Sequence, residues 1–156
     1  MSILEVGQIA PNFEALVQYK ENSKTVNLYN LLESGQKVLL VFYPSDGTPG
    51  CTMQLCGIRD IYKEYADLGV TVFGVNPADE SSHQRFIAQH NYPFGIVVDA
   101  DKTIRENYGA VGKFWANIIT KRCVFLIDTD KKIIFNHSGQ QDNNQILKLL
   151  KNETQD

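Results

Sequence analysis

The chain has 156 residues, of which 43% are hydrophobic and 21% charged, and its formal net charge is −3. This composition suits a folded globular chain and excludes disordered, collagen-like and mucin-like ones. A weakly acidic balance also gives no electrostatic reason to expect nucleic acid or an anionic membrane as partner.

Phe13 to Val17 reads as a short strand, followed by a polar turn at Lys20-Glu21-Asn22-Ser23. Thr25 to Leu32 has helical spacing, with Asn27 as a cap and Gly35 as a stop. Lys37 to Tyr43 is a continuous apolar, β-branched run, the pattern of a central strand buried on both faces. A turn-rich stretch, Pro44 to Gly50, leads into a helical segment from Cys51 to about Asp67, whose stripe is Leu55, Ile58, Tyr62 and Tyr65. Val70 to Val75 is a second buried strand, and Ser81 or Ser82 caps a helix through His90. Phe94 to Val98 is a short strand, and Lys102 to Tyr108 a short helix ending at Gly109. Cys123 to Ile127 is a third buried strand and pairs as a hairpin with Lys132 to Phe135 across a turn at 128–131. Gln145 to Lys151 closes the chain as a helix. The alternation predicts an α/β chain with a central mixed sheet and helices on both faces, organised as one domain over residues 1–156.

The longest apolar run falls far short of the roughly 20 residues a membrane-spanning helix needs. The start, MSILEVGQIAPNF, lacks the basic and long apolar regions of a secretory signal, so the expected compartment is the cytoplasm. Thiols there are kept reduced, and cysteines are more often catalytic, metal-binding or buried than disulfide-bonded. The chain has three, Cys51, Cys56 and Cys123. No Cys or His pair has zinc-ligand spacing such as C-x-x-C or H-x-x-x-H.

Cys51 stands where the loop after a buried strand meets a helix N-terminus. Free backbone N–H groups and the helix dipole favour a thiolate there, and the thiolate is the nucleophile. Thr48 offers a hydroxyl three residues earlier, Pro44 and Pro49 fix loop dihedrals, and Gly47 and Gly50 allow close approach of a small ligand.

Read together as Pro44-x-x-x-Thr48-x-x-Cys51, these residues resemble the peroxiredoxins. The fuller string FYPSDGTPGCTMQLCGIRD is similar to the bacterioferritin-comigratory, or Q-type, subfamily. The likeness continues in GQIAPNF, SSHQRF, PFGIVVDAD, YGAVG and RCVFLID. The resemblance implies a thioredoxin-like fold and a thiol peroxidase that works on hydrogen peroxide and organic hydroperoxides without metal, haem or flavin. It implies Cys51 as the attacking cysteine, Thr48 as holder of the peroxide oxygens and Pro44 as a shield against water. Arg122 matches the arginine beside the reactive sulfur, where a fixed cation favours an anion and spans sulfur and oxygen with its fork.

Cys56 matches the resolving cysteine of many Q-type members, which closes a disulfide with the oxidised Cys51 before a thioredoxin or glutaredoxin-like dithiol reopens it. Five helical residues rise about 7.5 Å, beyond the roughly 7 Å between Cα atoms that a disulfide tolerates. The turns from Cys51 to about Gly57 are therefore expected to unwind during the cycle. The resemblance also leaves the chain as a monomer or weak homodimer, with no membrane or nucleic-acid partner.

Bland readings stand beside these. Cys123 in its apolar strand reads as a buried, inert thiol, with a side role through its neighbour Arg122 as the other reading. His83 caps or packs its helix. Trp115 packs first, and faces substrate or partner second. Gln54, where many members carry Glu, alters the hydrogen bonding below Cys51, and Asn76-Pro77 replaces the usual Ser-x-Asp. A disulfide reductase would carry C-x-x-C at the helix start, which is absent. A peroxide-responsive redox sensor or binding module using the same thiol, without turnover, is the remaining alternative.

Overall fold

The structure is a computed structural model that describes residues 2–154. Seven strands form one sheet: β1 (Glu14–Gln18), β2 (Ser23–Asn27), β3 (Lys37–Phe42), β4 (Val70–Asn76), β5 (Gly95–Val98), β8 (Cys123–Ile127) and β9 (Ile133–Ser138), in the order β2-β1-β5-β4-β3-β8-β9. Strands β6 (Val111–Phe114) and β7 (Asn117–Thr120) form a separate hairpin. The three central strands run parallel and the flanking pairs antiparallel, which makes the sheet mixed as expected.

Side-chain alternation along β3 divides the core into two layers. Leu39, Val41 and Tyr43 face one way, with Val124 and Leu126 of β8. They pack on α2 (Pro49–Asp60), α3 (Tyr62–Asp67), α4 (Glu80–His90) and α6 (Asn143–Thr154). Val38, Leu40 and Phe42 face the other way with Cys123 and Phe125, against α1 (Leu28–Glu33) and α5 (Thr103–Tyr108). Helices thus cover both faces. Cys51 lies in the first layer and Cys123 in the second.

Several boundaries move. The helical spacing at Thr25 to Leu32 begins as strand: β2 runs to Asn27 and pairs with all of β1. Asn27 is nevertheless the cap, its Oδ1 accepting from Asn30 N at 3.0 Å. Thr25 and Val26 are held by cross-strand pairing, which overrides a weak local helix signal. The segment after Cys51 is two helices, because Ile61 leaves helical geometry (φ −121°, ψ 19°). Helix α4 is capped by Asp79, which accepts from Ser82 N at 2.9 Å, and not by Ser81 or Ser82. Lys102 is a left-handed cap residue (φ 66°) and not the first helical residue of α5.

Candidate active site

Helix α2 starts at Pro49, with Thr48 as its cap residue. Proline suits that first position, where no N–H partner exists to lose. Cys51 therefore falls in the first turn, where amides are unpaired, and its side chain is fully buried. Arg122, just ahead of β8, reaches the same point from across the layer. Its Nη2 donates to Cys51 Sγ at 3.3 Å and its Nη1 to Gln54 Oε1 at 2.7 Å. Cys51 and Gln54 are three residues apart on one helix, hence on one face, and the planar fork spans both. Gln54 Nε2 donates in turn to Gln141 Oε1 at 3.1 Å, so the fork is braced from behind. A Cβ at Gly50 would lie 3.1 Å from Arg122 Nη2, so a side chain there would require the guanidinium to shift. A thiolate at Cys51 loses its water and gains a guanidinium donor and a helix N-terminus in exchange.

Thr48 is exposed, and its Oγ1 donates to Ser45 O at 3.1 Å. Pro44 is half-buried, with Tyr43 between it and the end of β3. The loop that carries both is pinned by a group the sequence reading missed. Asp46 Oδ1 accepts from Tyr43 Oη at 2.6 Å, and its Oδ2 accepts from Ser82 Oγ and meets His83 Nδ1, each at 2.7 Å. His83 is fully buried, with Nε2 3.1 Å from Asn76 O. Asn76 Nδ2 donates to Tyr43 O at 2.9 Å and closes the ring of bonds. Burial pushes the Asp46 carboxyl up, but its three hydrogen bonds and the His83 charge outweigh that and hold it below the usual range. Burial, then Asp46, hold the Tyr43 phenol protonated, well above its ordinary value. His83 thus anchors the Cys51 loop as well as packing its helix; its place in SSHQRF, opposite an acidic loop residue, was the available signal.

Cys56 sits half-buried on the same uninterrupted helix as Cys51, and both thiols are free. The five-residue step sets them about 7.5 Å apart in rise and about 140° apart in direction, so this conformation holds them apart. Cys56 Sγ lies 3.4 Å from Tyr92 Oη. Cys123 is fully buried, on the opposite side of the sheet from Cys51, and burial pushes its thiol up to about 12. It is the buried thiol of the sequence reading. Trp115 corrects that reading: it tips the β6–β7 hairpin at 85% exposure and packs only edge-on against Phe114. Among the described residues no group of three or more His, Cys, Asp or Glu is placed to hold a metal.

The chain matches the AhpC/TSA family over residues 6–136. It is 38% identical over 133 residues to a putative peroxiredoxin bcp of Coxiella burnetii, covering 81% of this chain and 83% of the relative. With peroxiredoxin Bcp of Escherichia coli K12 it shares 37% over 139 residues, 85% of each chain. Among solved structures, peroxidoxin BcpB of Mycobacterium tuberculosis superposes with a TM-score of 0.84 at 27% identity, over 95% of this chain and 97% of that one. Xylella fastidiosa PrxQ gives the same TM-score at 22% identity, a likeness of fold, over 99% of each chain.

Proposed function

The chain belongs to the AhpC/TSA family, and from that premise we propose that it is a thiol-dependent peroxidase whose attacking sulfur is Cys51. The observation that carries the assignment is the Arg122 fork on Cys51 Sγ at 3.3 Å in the first turn of α2. The thiolate attacks one peroxide oxygen. The S–O bond forms as the O–O bond breaks, and the leaving oxygen takes up a proton as water or an alcohol. Arg122 opposes the charge spread over sulfur and both oxygens in that transition state. Thr48 Oγ1 spends its hydrogen on Ser45 O, so its lone pairs are open to accept the peroxide hydrogen. Pro44, in the same loop, keeps water from the sulfur.

The sulfenic acid then meets Cys56. Its thiol attacks the Cys51 sulfur, releases water and leaves a Cys51–Cys56 disulfide. Helix α2 forbids this while intact, so its turns from Cys51 to about Gly57 must open first. A dithiol of the thioredoxin or glutaredoxin kind restores both thiols by exchange, in the cytoplasm where such reductants are held reduced. Among the described residues no helix is long and apolar enough to cross a membrane. A sensor without turnover gains no support from relatives that are themselves named peroxiredoxins.

Intact-mass and peptide mapping after one equivalent of hydrogen peroxide tests the reading. The expected product has lost two hydrogens, mapped to a Cys51–Cys56 bond, and Cys51→Ser consumes no peroxide. Oxygen added to Cys51 with Cys56 still free removes the resolving role, and an unreacted protein removes the peroxidase.

A further inference from the structure

Helix α2 is held at two places by the last residue of α4 and the segment just after it. Arg59 Nη1 donates to His90 O at 2.9 Å and fixes the helix downstream of Gly57. Upstream, a single hydroxyl bridges the segment that must open. Tyr92 Oη lies 3.5 Å from Thr52 O and 3.4 Å from Cys56 Sγ. Thr52 O can only accept, whereas between the phenol and the Cys56 sulfur either atom can donate. One side chain thereby grips the residue next to the attacking cysteine and the second thiol together.

The grip is rigid from the tyrosine's side. Tyr92 is 2% exposed, stacks on Phe94 at 5.1 Å and meets Phe86 edge-on at 5.2 Å. Its backbone position is set by Asn91, the left-handed cap that ends α4. A ring so enclosed cannot follow the helix as it unwinds, so opening breaks both contacts together.

We propose that Tyr92 is a positioning residue that holds the Cys56 thiol in the intact helix and so sets how readily Cys56 reaches the oxidised Cys51. This rests on the reading of Cys56 as the resolving thiol. While the clasp holds, the Cys56 sulfur is tied to Tyr92 on the intact helix, turned about 140° away from Cys51. When α2 opens, the sulfur leaves Tyr92 and becomes available to attack. The clasp therefore apportions the Cys51 sulfenic acid between disulfide formation and a second, dead-end oxidation by excess peroxide.

The test is Tyr92→Phe, which keeps the ring and removes only the hydroxyl. Two readouts are taken on the full chain. The first is residue-resolved alkylation of Cys56 by iodoacetamide in the reduced protein. The second is the ratio of Cys51–Cys56 disulfide to Cys51 sulfinic acid across a hydrogen peroxide series. Loss of one hydroxyl that bridges two groups should raise each about fivefold, with the rate of the first oxidation of Cys51 unchanged. A variant that merely loosened the fold would slow that first step as well. Equal alkylation rates and equal ratios in the two proteins overturn the proposal alone. A wild-type protein that forms no Cys51–Cys56 bond overturns instead the assignment on which it rests.

Discussion

Arg122→Met removes the guanidinium and keeps an unbranched apolar stem at the start of β8. At the observed 3.3 Å, a unit-charge pair at an effective dielectric near 20 is worth about 5 kcal/mol. Arg122 is half-buried, so solvent screening trims this toward the loss of about 100- to 1,000-fold in rate that follows removal of one donor aimed at developing charge. Arg122→Lys separates charge from geometry. A lysine keeps the cation but cannot reach Cys51 and Gln54 with one planar fork, so a loss of about tenfold is expected. Gly50→Ala approaches the same contact from the other side. Its methyl would press on Nη2 from 3.1 Å, and the fork, held by Gln54, can yield only by lengthening its bond to Cys51. The assay is stopped-flow oxidation of Cys51 by hydrogen peroxide, quenched and mapped by mass, which isolates the first chemical step. Arg122→Met within about threefold of wild type would refute the argument that this cation stabilises the transition state.

Asp46→Asn should cost about 1–3 kcal/mol at pH 7, because an amide cannot take over all the contacts that the Asp46 carboxylate makes to Tyr43, Ser82 and His83, and a buried polar group loses its partner. The native carboxyl is held below its ordinary value, so its contribution is full above about pH 4 and is lost as pH falls through the lower folded value. Urea titrations followed by circular dichroism should show the gap between the two proteins shrinking below pH 4; a gap independent of pH would exclude the pair. Gly57→Ala has room, its new methyl meeting Asn143 Nδ2 at an ordinary 3.6 Å. It should firm α2 by about 0.5–1 kcal/mol, slow the Cys51–Cys56 disulfide and raise the sulfinic product in mass spectra. A faster disulfide would contradict the need for unwinding.

The central strands were legible because each is a continuous apolar run, and a run buried on both faces looks alike in sequence and structure. Cys51, Thr48 and Arg122 were legible through one dense local string and a distant arginine. Long-range partners were less so. Nothing between Ser23 and Asn27 says that β1 will pair with it across the turn, so the Thr25 spacing read as helix. The β6–β7 hairpin escaped because Phe114 and Ile118 are exposed and Val111 and Ile119 only partly buried, which leaves no clear alternation of buried and open positions. Asp46, Tyr92 and the reach of His83 to the Cys51 loop were missed for another reason. The partners that matter lie 36 to 40 residues away, in a helix and loop whose placement only the assembled sheet decides.

The hairpin also governs what light can report. The chain's single tryptophan is Trp115, and it stands 85% exposed at the hairpin tip with a left-handed backbone (φ 58°). Neither core layer contains an indole. Tryptophan emission from this protein therefore follows the solvent around one surface turn, while the sheet and its two helical coats can come apart without changing that indole's surroundings.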